Sequence, residues 1–223
     1  MWRDALLVAG RDLRIEARSR VATSQVAPFA LLVLVLFAFA LDPDTGVLES
    51  ATPGLFWVAV LFSGLLALSR SAALDESDGV RDALRLSGLE PGGIFLGKAA
   101  AVAVQLLALQ AVLAAGVIVL YGAEPSGVAL LALTCVTGTA AVAATGTLYG
   151  ALVSGLRVRE TLLPLLLLPT LAPVLIGATR AFEAALGGDT LTRGWAWCGL
   201  LLFFAVLYTL AGALAYGVLL EGS

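Results

Sequence analysis

Long, predominantly apolar runs constrain this chain more than any other feature. They recur at about 21–41, 54–74, 94–121, 128–153, 161–178 and 195–219. Each reaches the length of about 18 residues or more needed to cross a hydrocarbon core about 30 Å thick. Inside lipid a backbone must satisfy its own hydrogen bonds, so such runs form helices. The expectation is an all-α membrane protein with six transmembrane helices. A soluble bundle would need polar faces that most of these runs lack. Composition agrees: 60% of residues are apolar and 13% charged, against about half and about a quarter in soluble domains.

The remaining segments are short and polar. Residues 1–20 read as an N-terminal amphipathic helix lying in the membrane surface, ahead of a single transmembrane domain at 21–223. Trp2, Leu6, Ala9 and Leu13 fall on one helical stripe, and Arg11, Arg14 and Arg18 on another, as an interfacial helix requires. A positively charged flank of the first span is a compatible description. Ala38-Phe39-Ala40 resembles a signal-peptidase site, but the run before it is longer than a signal peptide's apolar core. Between spans two and three, Ser77 or Asp78 can cap a short helix with Val80, Ala83 and Leu84 on one face. Pro91-Gly92-Gly93 is expected to stop it. Pro53 introduces the second span, and Pro164, Pro169 and Pro173 predict a bent or broken fifth span followed by an amphipathic stretch at 180–194. Gly146 and Gly150 have the spacing that lets membrane helices approach closely, which is read as packing within one subunit.

Basic residues set the orientation. With the N-terminus in the cytoplasm, the cytoplasmic segments hold Arg3, Arg11, Arg14, Arg18, Arg20, Arg70, Arg81, Arg85, Lys98, Arg157 and Arg159, eleven of thirteen; Arg180 and Arg193 fall outside. Both termini are therefore placed in the cytoplasm.

Several chemistries are missing. The chain has no histidine, the commonest metal and haem ligand and general base. It carries no phosphate-binding G-x-x-x-x-G-K-[ST] loop. No catalytic residue and no metal ligand is assigned, and a net charge of −3 gives no reason to invoke nucleic acid. Cys135 and Cys198 sit within apolar runs as packing residues. No carboxylate is placed inside a span, which counts against a proton-coupled transporter. Gln25, Gln105, Gln110, Thr134, Thr137 and Thr139 are the modest intramembrane polar groups, read as interhelical hydrogen-bond partners. These features fit a permease subunit driven from outside, with 75–88 as the surface an ATPase would push.

More specific residues carry a family resemblance. The segment Pro53-Gly54-Leu55-Phe56-Trp57-Val58-Ala59, then Leu65-Leu66-Ala67-Leu68 and the acidic 75–79 loop, resemble the CcmB-type haem exporter permease of the cytochrome c maturation system. Gly97-Lys98, residues 130–139 and the three-proline run at 162–176 are similar as well. Pro53, Gly54 and Trp57 mark the most specific part. The resemblance covers essentially the whole chain and implies an ABC-2-like permease fold, with an N-terminal interfacial helix and a cytoplasmic coupling helix between spans two and three.

It further implies inner-membrane location, a CcmA-type ATP-binding subunit, a CcmC-type haem-handling membrane protein and a periplasmic haem chaperone as partners. ATP would then be bound by the partner subunit, this chain would hold no cofactor, and haem is a candidate substrate. Membrane lipid and a second copy of the chain are further candidate partners. Asp75, Glu76, Asp78, Val80, Arg81, Leu84 and Arg85 are the expected ATPase-coupling residues. The resemblance leads one to expect an acidic residue where Ser69 stands; without it, Arg70 reads as an arginine snorkelling to the interface. Two rival functions are an ABC-2 permease for a lipid or drug and a non-conducting scaffold that relays ATPase action.

Overall fold

The computed structural model describes residues 1–19, 26–41, 46–76, 88–123, 126–153, 159–187 and 191–221. Among them are seven helices and no strand: α1 (Trp2–Ser19), α2 (Ala27–Ala40), α3 (Val47–Glu76), α4 (Pro91–Tyr121), α5 (Val128–Val153), α6 (Arg159–Gly187) and α7 (Leu191–Glu221). Helices α3 to α7 are long and apolar enough to cross a membrane. At 1.5 Å per residue their 26 to 31 residues reach about 39–47 Å. The chain is a multi-pass membrane protein of the all-α class. Helix α2 is shorter, with 14 residues and a length of about 21 Å; residues 21–25, counted in the first span on sequence grounds, lie outside the described residues.

Proline placement corrects three sequence expectations. Pro91 starts α4, three residues ahead of the expected third span, at a position whose N–H would be unpaired in any residue, and the short helix it was expected to stop lies outside the described residues. Pro53 does not introduce α3 but sits inside it, since the helix begins at Val47. That early portion is held by its own hydroxyls: Ser50 donates to the Val47 carbonyl at 2.9 Å and Thr52 to the Leu48 carbonyl at 2.8 Å. The three-proline run does not break α6, which continues to Gly187. Side-chain hydroxyls add hydrogen bonds beside the prolines. Thr170 Oγ1 donates to the Leu166 carbonyl and Tyr208 to the Thr170 carbonyl, each at 3.0 Å, with the Tyr149 hydroxyl 3.0 Å from Thr170 Oγ1. The knot ties α5, α6 and α7 together at the prolines.

Helix α5 is the hub, packed against α3, α4, α6 and α7. Lipid tails are as apolar as leucine, so close packing rather than water exclusion holds such helices together. Trp57 of α3 fills the space over Gly138, where a Cβ would lie only 2.5 Å from its ring. Gln110 Nε2 of α4 donates to Thr139 Oγ1 at 2.7 Å, one of the interhelical bonds expected of these polar residues. Gly146 packs against Leu68, while Gly150 has open space around it. The small-residue pair thus serves packing inside the subunit through Gly146.

The bundle has two distinguishable ends. At one, α1 lies against the start of α4, and Pro91 meets Gly217 of α7. At the other, the Gly127 N–H donates to the Ala185 carbonyl at 2.9 Å and Ser126 Oγ to the same oxygen at 3.0 Å. Gly122, in the left-handed conformation with φ of 64°, closes α4 at this far end.

Candidate functional site

The most elaborated junction is where α1 meets the bundle. Its stripe of Trp2 and Leu6 is turned outward, 77% and 75% exposed, with Ala9 and Leu13 half-buried at its edge. A different face docks: Ala5 and Val8 are buried, and Asp12 and Glu16 are partly buried. These four residues follow helical spacing. They dock because α4 offers no side chain at the contact. A Cβ on Gly97 would lie 2.6 Å from the Ala5 carbonyl oxygen and 2.7 Å from Val8 Cβ; one on Gly93 would lie 2.9 Å from the Met1 carbonyl oxygen.

Charge pairs complete the seam. Lys98 Nζ, with its side chain 4% exposed, lies 3.7 Å from Asp12 Oδ2, and Arg11 holds the other Asp12 oxygen at 2.8 Å. A cation this buried is tolerated because a carboxylate stands beside it; removing one partner of such a pair costs about 3–5 kcal/mol. Arg70 Nε of α3 lies 3.3 Å from Glu16 Oε2, an ion pair without an aligned hydrogen bond from that nitrogen. Arg70 is therefore not simply a snorkelling arginine. Its partner comes from α1, so the residue at position 69 does not decide the matter. The Glu90 N–H donates to Asp4 Oδ2 at 3.4 Å, which holds the Asp4 carboxyl below its ordinary range.

Together these contacts make α1 a strut between the end of α3 and the start of α4, the two helices that flank 77–87. Of the expected coupling residues, Asp75 and Glu76 are the last two residues of α3. Asp78, Val80, Arg81, Leu84 and Arg85 lie outside the described residues.

Beside the strut is a cavity of about 650 Å³ between α1, α2, α3 and α4. Glu16, Phe29, Ser63, Arg70, Gln105 and Leu109 are among its lining residues. Its size falls in the range of small-molecule sites, and its mixture of apolar wall with few polar groups is typical of them. Pro53, Gly54 and Trp57 sit elsewhere on α3, with Pro53 and Trp57 buried and Gly54 half-buried beside open space. Trp57 is 1% exposed and its indole Nε1 is without a hydrogen-bond partner among the described residues. Phe56 stacks on Phe182 of α6 with ring centroids 4.5 Å apart. The motif therefore joins α3 to α5 and α6 and lines neither the cavity nor the strut. Among the described residues, no group of three or more His, Cys, Asp or Glu side chains is arranged to hold a metal.

Sequence reading missed Asp12 and Glu16, and it read Gly93 only as a helix stop and Gly97 only as part of the resemblance. The four-residue spacing of Asp12 and Glu16, on the same side as Ala5 and Val8, was the available signal.

Known proteins supply the remaining constraint. The family described as CcmB protein matches residues 3–220. Heme exporter protein B of Paracoccus denitrificans is 37% identical over 198 residues, covering 84% of this chain and 86% of the relative. The protein of the same name from Haemophilus influenzae is 33% identical over 184 residues, 81% of each chain. That from Pseudomonas aeruginosa is 31% identical over 206 residues, 91% of each. With a match that runs nearly end to end and relatives of the same length, the chain belongs to the CcmB protein family.

Proposed function

We propose that this chain is the membrane permease subunit of an ATP-driven haem exporter complex in cytochrome c maturation. The observation that carries the reading is the family match over 3–220, with relatives named as haem exporters. ATP is hydrolysed by a separate CcmA-type subunit on the cytoplasmic side of the inner membrane. A CcmC-type membrane protein and a periplasmic haem chaperone complete the complex. Both termini face the cytoplasm, and the run at about 21–41 is the sixth span, beside the five long helices.

The strut geometry supports a route for the ATPase stroke. Residues 77–87 connect α3 to α4, and α1 is paired to both through Glu16–Arg70 and Asp12–Lys98. A push on the connecting segment, received by Arg81, Arg85 and the acidic residues Asp75, Glu76 and Asp78, reaches three helices at once. Replacing both arginines, Arg81→Glu with Arg85→Glu, should uncouple ATPase recruitment and stop haem-stainable cytochromes c from forming, in a host lacking its own haem exporter B. Membrane insertion should be unchanged. Full cytochrome yield, with the ATPase co-purifying as in wild type, would overturn the coupling assignment.

A further inference from the structure

The far end of the bundle carries a charge pattern that the ATPase-side reading does not use. By sequence position, its connections and helix ends hold Asp42, Asp44, Glu49, Glu124, Glu183 and Asp189, and only Arg180 and Arg193 among the thirteen basic residues. A lone cation is unremarkable at a helix end, but these two arginines line the same pocket. It has a volume of about 420 Å³ and is also lined by Glu183, Ala184, Gly194 and Trp197. Arginine on the translocated side of a membrane protein runs against the orientation bias. Both such residues of this chain, on an otherwise acidic end, meet in one place.

The local packing explains how. A Cβ on Gly194 would lie 2.5 Å from Leu130 Cδ2 and 2.8 Å from Ala184 Cβ. The first turn of α7 therefore rests directly on α5 and α6. This brings Arg193 of α7 to the pocket that Arg180 of α6 also lines. Arg180 Nη1 donates to Glu183 Oε2 at 2.9 Å across an exposed i,i+3 pair. Such a pair contributes little and is readily exchanged, and the guanidinium keeps further donors. Arg193 makes no ion pair or hydrogen bond among the described residues and is exposed. Two planar guanidinium forks beside an indole suit a flat, amphipathic ligand with carboxylates at one edge.

We infer that the Arg180–Arg193–Trp197 pocket is a carboxylate-binding site on the non-cytoplasmic face, which receives the propionate edge of haem. The inference rests on the haem reading proposed above. A phosphate of a lipid headgroup offers the same anionic chemistry and is the competing source.

The test uses the full chain in phosphatidylcholine nanodiscs, titrated with haem and with haem dimethyl ester, against empty nanodiscs. The site predicts that wild type binds haem at least tenfold more tightly than the ester. Arg180→Gln with Arg193→Gln should remove that preference and leave ester binding and the melting temperature unchanged. Loss of the preference when phosphatidylglycerol replaces phosphatidylcholine would assign the arginines to lipid phosphate and overturn the haem assignment. An undiminished preference in the double variant would overturn the site. If that variant keeps the preference while the wild-type chain supports cytochrome c formation, the pocket assignment fails and the proposed function stands. If the wild-type chain supports no cytochrome c formation, the proposed function fails independently of the titration.

Discussion

Gly97→Ala isolates the docking of α1 in a single methyl group. The new Cβ would sit 2.6 Å from the Ala5 carbonyl oxygen and 2.7 Å from Val8 Cβ. The nearest atom is backbone and cannot rotate away, so α1 must shift. Glycine to alanine inside a helix otherwise stabilises by about 0.5–1 kcal/mol, and α4 is helical throughout this region. Overpacking costs about 1–3 kcal/mol, so the net expectation is a loss of up to about 2.5 kcal/mol, borne by the α1 contact rather than by the whole bundle. At about 1.4 kcal/mol per factor of ten, amide hydrogen exchange across 3–16 should speed up by as much as about 60-fold, with α5 and α7 unaffected. Gly150→Ala is the matched control, since nothing lies within 4 Å of its Cβ position; it should be neutral or slightly stabilising. Adding Val8→Ala should restore little protection, because the Ala5 oxygen and the Cβ at position 8 both remain and only the Val8 Cγ1 contact at 3.1 Å is relieved. Unchanged exchange in Gly97→Ala, or full rescue by Val8→Ala, would refute the close backbone approach.

Other changes follow from the same contacts. Asp12→Asn removes the carboxylate that Lys98 and Arg11 share and should destabilise the α1 seam; pairing it with Lys98→Met should recover part of the loss in a thermal melt. Gly138→Ala drives a methyl into the Trp57 ring and should lower the melting temperature, whereas Gly138→Ala with Trp57→Phe should regain much of it because the smaller ring makes room. Asp4 has its carboxyl pKa depressed chiefly by the Glu90 N–H. Its contribution is present above the ordinary value of 3.8 and disappears as pH falls through the lower folded value. Exchange protection of residues 88–90 should therefore decline on acidification below about pH 4, and Asp4→Asn should abolish that decline.

What the sequence made legible was governed by hydrophobic length. Five long helices and the short, apolar α2 follow from runs with few charges, because lipid permits no other backbone arrangement. Helix ends were less legible. Pro53 and Pro91 were read as punctuation, but α3 begins at Val47 and runs through the first, and the second begins α4. The docking face of α1 was not legible for a different reason. Trp2 and Leu6 form the conspicuous apolar stripe, yet it is small and acidic residues that meet the bundle, a choice dictated by glycines some ninety residues away. Arg70 shows the same limit: its partner Glu16 is distant in sequence, so local reasoning about Ser69 had no access to it. Tertiary pairing of this kind leaves no periodic trace in the chain.

The most direct test of the central claim is affinity purification of the tagged chain from its native membrane, with mass spectrometry of the partners and a haem absorption spectrum. The account predicts a P-loop ATPase together with a haem-containing membrane partner. An ATPase accompanied by lipid- or drug-handling proteins, with no haem signal, would contradict it.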